Sequence, residues 1–114
     1  MPYSVYAITL KLEIVKTKRF KERNPQYIEG KACYYVGYTS KDPKVRSEQH
    51  RLKIRGKNGN RLWSTIANKY HNGLTKKGHK YGKVKTKEEG MANELKLAEE
   101  LRAKGFGVWT DAKE

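Results

Sequence analysis

A length of 114 residues fits one domain, and 26 Lys and Arg against 12 Asp and Glu give it a formal charge of +14, which directs it toward a polyanion. Leu, Ile, Val and Phe number only 21, so the eight tyrosines and two tryptophans must supply much of the core; each buried aromatic removes roughly 150–250 Å² from water. No run of about 18 apolar residues exists, which excludes a membrane-spanning helix, and MPYSVYAITL has no basic start, apolar stretch and small-residue cleavage site, so a secretory signal is not expected.

Tyr6, Ile8, Leu10, Leu12 and Ile14 recur at every second position, with Val5, Thr9, Lys11 and Glu13 between them, a period that predicts a half-buried first strand. The charged stretch from Lys16 to Gly30, punctuated by Asn24-Pro25, predicts an exposed excursion or long hairpin tip. Aromatic and β-branched residues from Ala32 to Thr39 predict a second strand, antiparallel to the first. Within it Gly37 marks a bulge or a close approach of other atoms.

Asp42-Pro43 opens a helix running to about Ile54: the carboxylate accepts from first-turn amides, and proline suits the first helical position. A shorter helix is expected from Asn60 to near Tyr70. HNGLTKKGHKYG, with three glycines, predicts a loop, and Tyr81 to Lys85 a short strand. Thr86 and Glu89 form a T-x-x-E capping box, so a last helix starts there and stops at Gly105, followed by an edge strand in FGVWT.

The charge is segregated. Between Arg51 and Lys85 lie 11 Lys and Arg and no acid, whereas from Thr86 onward seven acids face five bases. Arg51, Lys53, Arg55, Lys57 and Arg61 occupy the first half of the basic block, and Lys76, Lys77, Lys80 and Lys83 the second. Such one-sidedness fits phosphate binding better than a merely solvated surface, which mixed signs serve as well. Trp63, Tyr70 and Tyr81, interleaved with these bases, are candidates for stacking on nucleobases as well as for the core. A nucleic-acid-binding module that uses this block without cutting is therefore one reading of the chain.

Chemistry narrows to few residues. A lone Cys33 permits neither an internal disulfide nor a CxxC zinc knuckle and fits a reducing intracellular compartment, cytoplasmic or nucleoid-associated. His50, His71 and His79 form no HxxxH ligand pair. Arg46 and His50, four apart on the predicted helix, emerge on one face, where a guanidinium fork and an imidazole can both reach one phosphate. In the last helix Glu94 falls inside the apolar arc of Met91, Leu95, Leu97, Ala98 and Leu101, whereas Glu89 and Glu100 point away. A carboxylate on a buried face costs several kcal/mol unless paired or bound to metal, so Glu94 needs a cation, either Arg46 in a salt bridge or a metal ion.

Taken together, SVY (Ser4 to Tyr6), YVG (Tyr35 to Gly37), Arg46-x3-His50 and a lone late glutamate, Glu94, resemble the GIY-YIG nuclease family, in order and chemistry, over nearly the whole chain. The run YYVGYTSKDPKVRSEQH is the specific part, because strand, glycine, Pro-capped helix and the Arg/His turn arrive together. The resemblance implies an α/β fold of the α+β type, a small central antiparallel sheet of about three strands flanked by helices, forming a single domain over residues 1–114. It implies divalent-metal-dependent hydrolysis of DNA, with one Mg²⁺ or Mn²⁺ ion on Glu94. Tyr6 and Tyr35 fall near the scissile phosphate, one as general base or water-positioning group. Arg46 stabilises charge on the pentacovalent phosphate, and His50 is a proton acceptor or phosphate ligand. Lys41 and Lys44 would favour a phenolate or contact the DNA backbone. Two departures stand out: Ser4 replaces the family's first glycine, and 28 residues separate the two tyrosines. Monomer and dimer both remain open, as does the DNA target.

Overall fold

The structure, a computed structural model, describes residues 2–110. Two strands form its centre: β1 (Tyr3–Leu10) and β2 (Cys33–Thr39) pair antiparallel without a break from Ser4 opposite Thr39 to Leu10 opposite Cys33. On the far side of β1 lie β3 (His71–Leu74) and β4 (Lys83–Val84), both antiparallel to it. On the far side of β2 lies β5 (Gly107–Thr110), parallel to it from Cys33 opposite Gly107 to Val36 opposite Thr110. Four α-helices complete the described residues: α1 (Lys18–Arg23), α2 (Pro43–Leu52), α3 (Thr65–Lys69) and α4 (Lys87–Ala103). The α/β class is as expected, but the sheet has five strands rather than about three and is mixed, because the chain returns through α4 to lay β5 parallel to β2.

Both faces of the sheet are covered. Val5, Ala7, Tyr34, Val36 and Val108 pack beneath Leu97, Ala98 and Leu101 of α4. The opposite face carries Tyr6, Ile8, Leu10, Cys33, Tyr35 and Trp109, packed with Ile14, Phe20 of α1, Ala67 of α3 and Tyr70. β1 is thus buried on both sides rather than half-buried, which explains why its apolar alternation is blurred by Val5 and Ala7.

Several predicted boundaries move. The first strand stops at Leu10, and Leu12–Lys16 winds into a 3₁₀ helix that buries Ile14 and leaves Leu12 exposed. The region expected as an open excursion contains α1, whose Phe20 is buried, while the buried Asn24 side chain bonds both the N–H and the carbonyl of Val108. A charged helix with one apolar anchor was hidden by its own surface. α2 ends at Leu52, with Lys53 in the left-handed region at φ 54°. The second helix starts only at Thr65, capped by the Ser64 hydroxyl, because residues 54–62 double back: Leu62 N–H donates to the Ile54 carbonyl, and Arg55 bridges Arg61. Part of the predicted glycine loop is β3, recruited by the open edge of β1 despite its poor strand composition. The capping hydroxyl of Thr86 does accept from Glu89 N–H, and Gly105, at φ 87°, follows the end of α4.

Among the described residues β5 pairs with β2 as far as Val36, and the continuing stretch of β2 borders a cavity between α2 on one face and α4 on the other.

Candidate active site

That cavity, about 660 Å³, is lined by Tyr6 from β1, Tyr35 and Gly37 from β2, Arg46 from α2, and Glu94 from α4. Residues from opposite ends of the chain thus line one cavity, by different routes. Tyr6 and Tyr35 sit on the same face of adjacent strands, with ring centroids 6.3 Å apart. Gly37 lies directly opposite Tyr6, and a Cβ there would stand 2.6 Å from the Tyr6 hydroxyl and 2.7 Å from Cζ. The register is unbroken at this point, so Gly37 serves no bulge; its missing side chain lets the Tyr6 phenol cross β2. Gly37→Ala should therefore displace the phenol, costing about 1–3 kcal/mol of stability. A melt and a crystal structure of the variant would check this, and an unmoved Tyr6 would contradict it.

His50 stands behind Tyr6 rather than in the cavity. It is fully buried, its Nε2 lies 3.0 Å from the Tyr6 hydroxyl, and its Nδ1 accepts from Ser64 N–H at 2.9 Å. A nitrogen that accepts from an amide carries no proton, so the neutral ring keeps its proton on Nε2 and donates it to Tyr6. Burial pushes the His50 imidazole down to about 3, and the positive charges of Arg46 and His71 act in the same direction. Both ring nitrogens thus face partners inside the protein, Nε2 the Tyr6 hydroxyl and Nδ1 the Ser64 amide.

The low His50 value has a stability consequence. Between about pH 3 and the ordinary 6.5 the unfolded chain binds a proton that the folded chain refuses, so stability falls as pH drops through that window. His71, also lowered by burial, adds to the same limb. Denaturation midpoints measured from pH 7 to 4 should decline less steeply in His50→Gln; an identical slope would contradict a buried neutral His50.

Arg46 is held by two acceptors, Gln49 Oε1 at 3.1 Å and the Leu62 carbonyl, so the doubling-back segment aims it. Glu94 is 3% exposed and accepts a hydrogen bond from the Thr110 hydroxyl. Ser64, Leu62 and Thr110 carry no functional signature in the sequence. Only Ser64 leaves a local signal, as a helix-capping residue type.

The cations expected to meet nucleic acid divide by position. Lys41, Lys44, Lys76 and Lys83 line two further openings beside the cavity, around the start of α2. Lys53, Arg55, Lys57 and Arg61 belong to the exposed segment that doubles back beside Arg46. Arg51 is paired to Glu48 in a bidentate bridge, Lys80 is paired to Glu100, and Lys77 lies over the Tyr34 and Phe106 rings. Neither Lys41 nor Lys44 lines the cavity itself, so the cation on its wall beside the tyrosines is Arg46. Of the aromatics, Tyr70 is core, Tyr81 is half-buried against the α4 side, and Trp63 carries the Arg61 guanidinium 3.9 Å from its ring centre.

No family model, no curated protein and no solved structure matches the chain. Among the described residues no helix is long and apolar enough to cross a membrane.

Proposed function

We propose that this protein is a divalent-metal-dependent endonuclease that hydrolyses DNA phosphodiester bonds, a reading consistent with the resemblance to GIY-YIG nucleases. The observation that carries it is the meeting of two phenols, a guanidinium and a buried carboxylate on one cavity. Among the described residues no three of His, Cys, Asp and Glu cluster, so Glu94 would be the protein's carboxylate for the ion. One carboxylate beside open volume fits Mg²⁺ or Mn²⁺, hard ions that accept water and phosphate oxygens for their remaining positions. Bound there, the ion supplies Lewis-acid polarisation of the phosphate and neutralises the departing oxygen.

The chain's own residues do the rest. Tyr6, as phenolate, takes a proton from the attacking water, the water oxygen bonds to phosphorus, and the bridging P–O bond breaks with its electron pair on the departing oxygen, which is protonated from solvent while Tyr6 later returns its proton to solvent. An unperturbed phenol ionises near pH 10 and is a weak source of base at neutrality. His50 meets this by donating Nε2–H to the same oxygen, which stabilises negative charge there, while Arg46 adds a fixed positive charge close by. Arg46, pinned at Gln49 and Leu62, faces charge growing on the pentacovalent phosphate. Tyr35 supplies a second hydroxyl-bearing wall that positions water or phosphate.

Such an enzyme would work inside the cell, in the cytoplasm or at the nucleoid, and one copy would cut one strand at a time. Incubation of supercoiled plasmid with the wild-type protein tests the reading. Nicking that requires Mg²⁺ or Mn²⁺ and stops with EDTA is expected. A protein that binds the plasmid but never nicks it with either ion is instead a binding module.

A further inference from the structure

Two further openings continue the cavity, one much smaller than it and one of similar size. The first, about 130 Å³, shares Ser40 with it and is lined by Lys41, Asp42, Pro43 and Lys83. The second, about 700 Å³, shares Ser4, Asp42, Pro43 and Lys83 with the first and adds Lys44, Thr75, Lys76 and Gly78. The shared residues set the three openings in a row, a path from the tyrosines past the start of α2 to the turn after β3. Its floor is the start of β1, which Gly78 allows the turn to approach: a Cβ there would lie 2.3 Å from the Val5 carbonyl oxygen. Four lysines from three separate segments, all solvent-exposed, converge along it. The single acid, Asp42, accepts from Lys44 N–H at 2.8 Å as the helix cap and is flanked by Lys41 and Lys44.

We propose that this path is the track for the DNA strand on one side of the cut, with Lys41, Lys44, Lys76 and Lys83 each meeting a backbone phosphate. The proposal rests on the nuclease reading, since the catalytic cavity is what gives the track its direction. A single strand is the occupant: the openings are narrow recesses in which a flexible backbone can follow the bend around α2, and their amines suit its phosphates. The enzyme then needs several nucleotides on one flank of the scissile phosphate and tolerates truncation of the other.

The test measures binding to a fluorescent oligonucleotide, single-stranded and annealed to its complement, against salt for the wild type, Lys76→Gln/Lys83→Gln, and a control, Lys18→Gln/Lys21→Gln, which removes the same charge from α1. Plasmid nicking is followed in parallel. Every lysine that neutralises a phosphate of a single strand steepens the log–log salt dependence by about 0.7, so the track variant should show a slope shallower by about 1.4 and the control a much smaller change. Slopes that fall equally in both variants, or in neither, overturn the track, even where nicking persists. A selective fall without nicking by the wild type keeps the track and overturns the nuclease. Weakening of duplex binding alone assigns the lysines to a duplex arm and also overturns the single-strand track.

Discussion

Glu94→Gln should lower Mg²⁺-dependent cleavage by about 10³-fold or more while DNA affinity holds or improves. The substitution keeps side-chain shape, and the amide oxygen can still accept from the Thr110 hydroxyl, so the packing of α4 against β5 is preserved. What disappears is the negative charge. A carboxylate buried only to support the fold would show its loss in the melting temperature and leave the reaction untouched. One that holds the ion shows the reverse, with cleavage abolished in a folded protein. Single-turnover rates at saturating enzyme, paired with a thermal melt, separate these outcomes. Retention of more than about a tenth of wild-type activity would remove Glu94 from the metal site.

Tyr6→Phe is expected to reduce kcat by about 10²- to 10⁴-fold with little change in KM, the range typical of losing a positioned proton acceptor. It also strips His50 Nε2–H of an acceptor 3.0 Å away in a fully buried position, at a cost of about 1–3 kcal/mol in stability. His50 is a positioning residue, so its variants should behave differently. In His50→Leu the phenolate loses its donor, and the rise of kcat/KM with pH should move to higher pH. His50→Gln, whose amide can still donate, should recover part of the shift. If the pH profile of His50→Leu overlays the wild type while activity merely drops, His50 supports the fold and not the phenol.

Much of this site is legible in the chain because its signals are local. Asp42-Pro43 sets the start of α2, and with it the turn that spaces Arg46 from His50. The apolar arc of α4 places Glu94 inward without knowledge of any neighbour, and it is buried with Leu97, Ala98 and Leu101, although Met91 of the same arc is exposed. Tyr35 and Gly37 lie in a strand whose aromatic density is unmistakable. The parts that escape depend on partners distant in sequence. Nothing near His50 discloses that Ser64 N–H donates to its Nδ1, which leaves Nε2 facing the Tyr6 hydroxyl. Likewise β3 is a strand only because β1 offers an open edge, and β5 runs parallel only because α4 carries the chain back across the sheet. The cationic block shows the same limit: its composition marks a strongly basic segment, but Lys77 and Lys80 turn to Phe106 and Glu100 while Lys76 and Lys83 line an opening beside the cavity.

Cleavage carried out in ¹⁸O-enriched water tests most directly whether this cavity hydrolyses DNA. With Mg²⁺ present, the new terminal phosphate should contain one ¹⁸O atom for each cut, and Glu94→Gln should yield none above background. Intact plasmid after prolonged incubation with either ion, or cut ends free of the label, would contradict metal-assisted attack by water at this site.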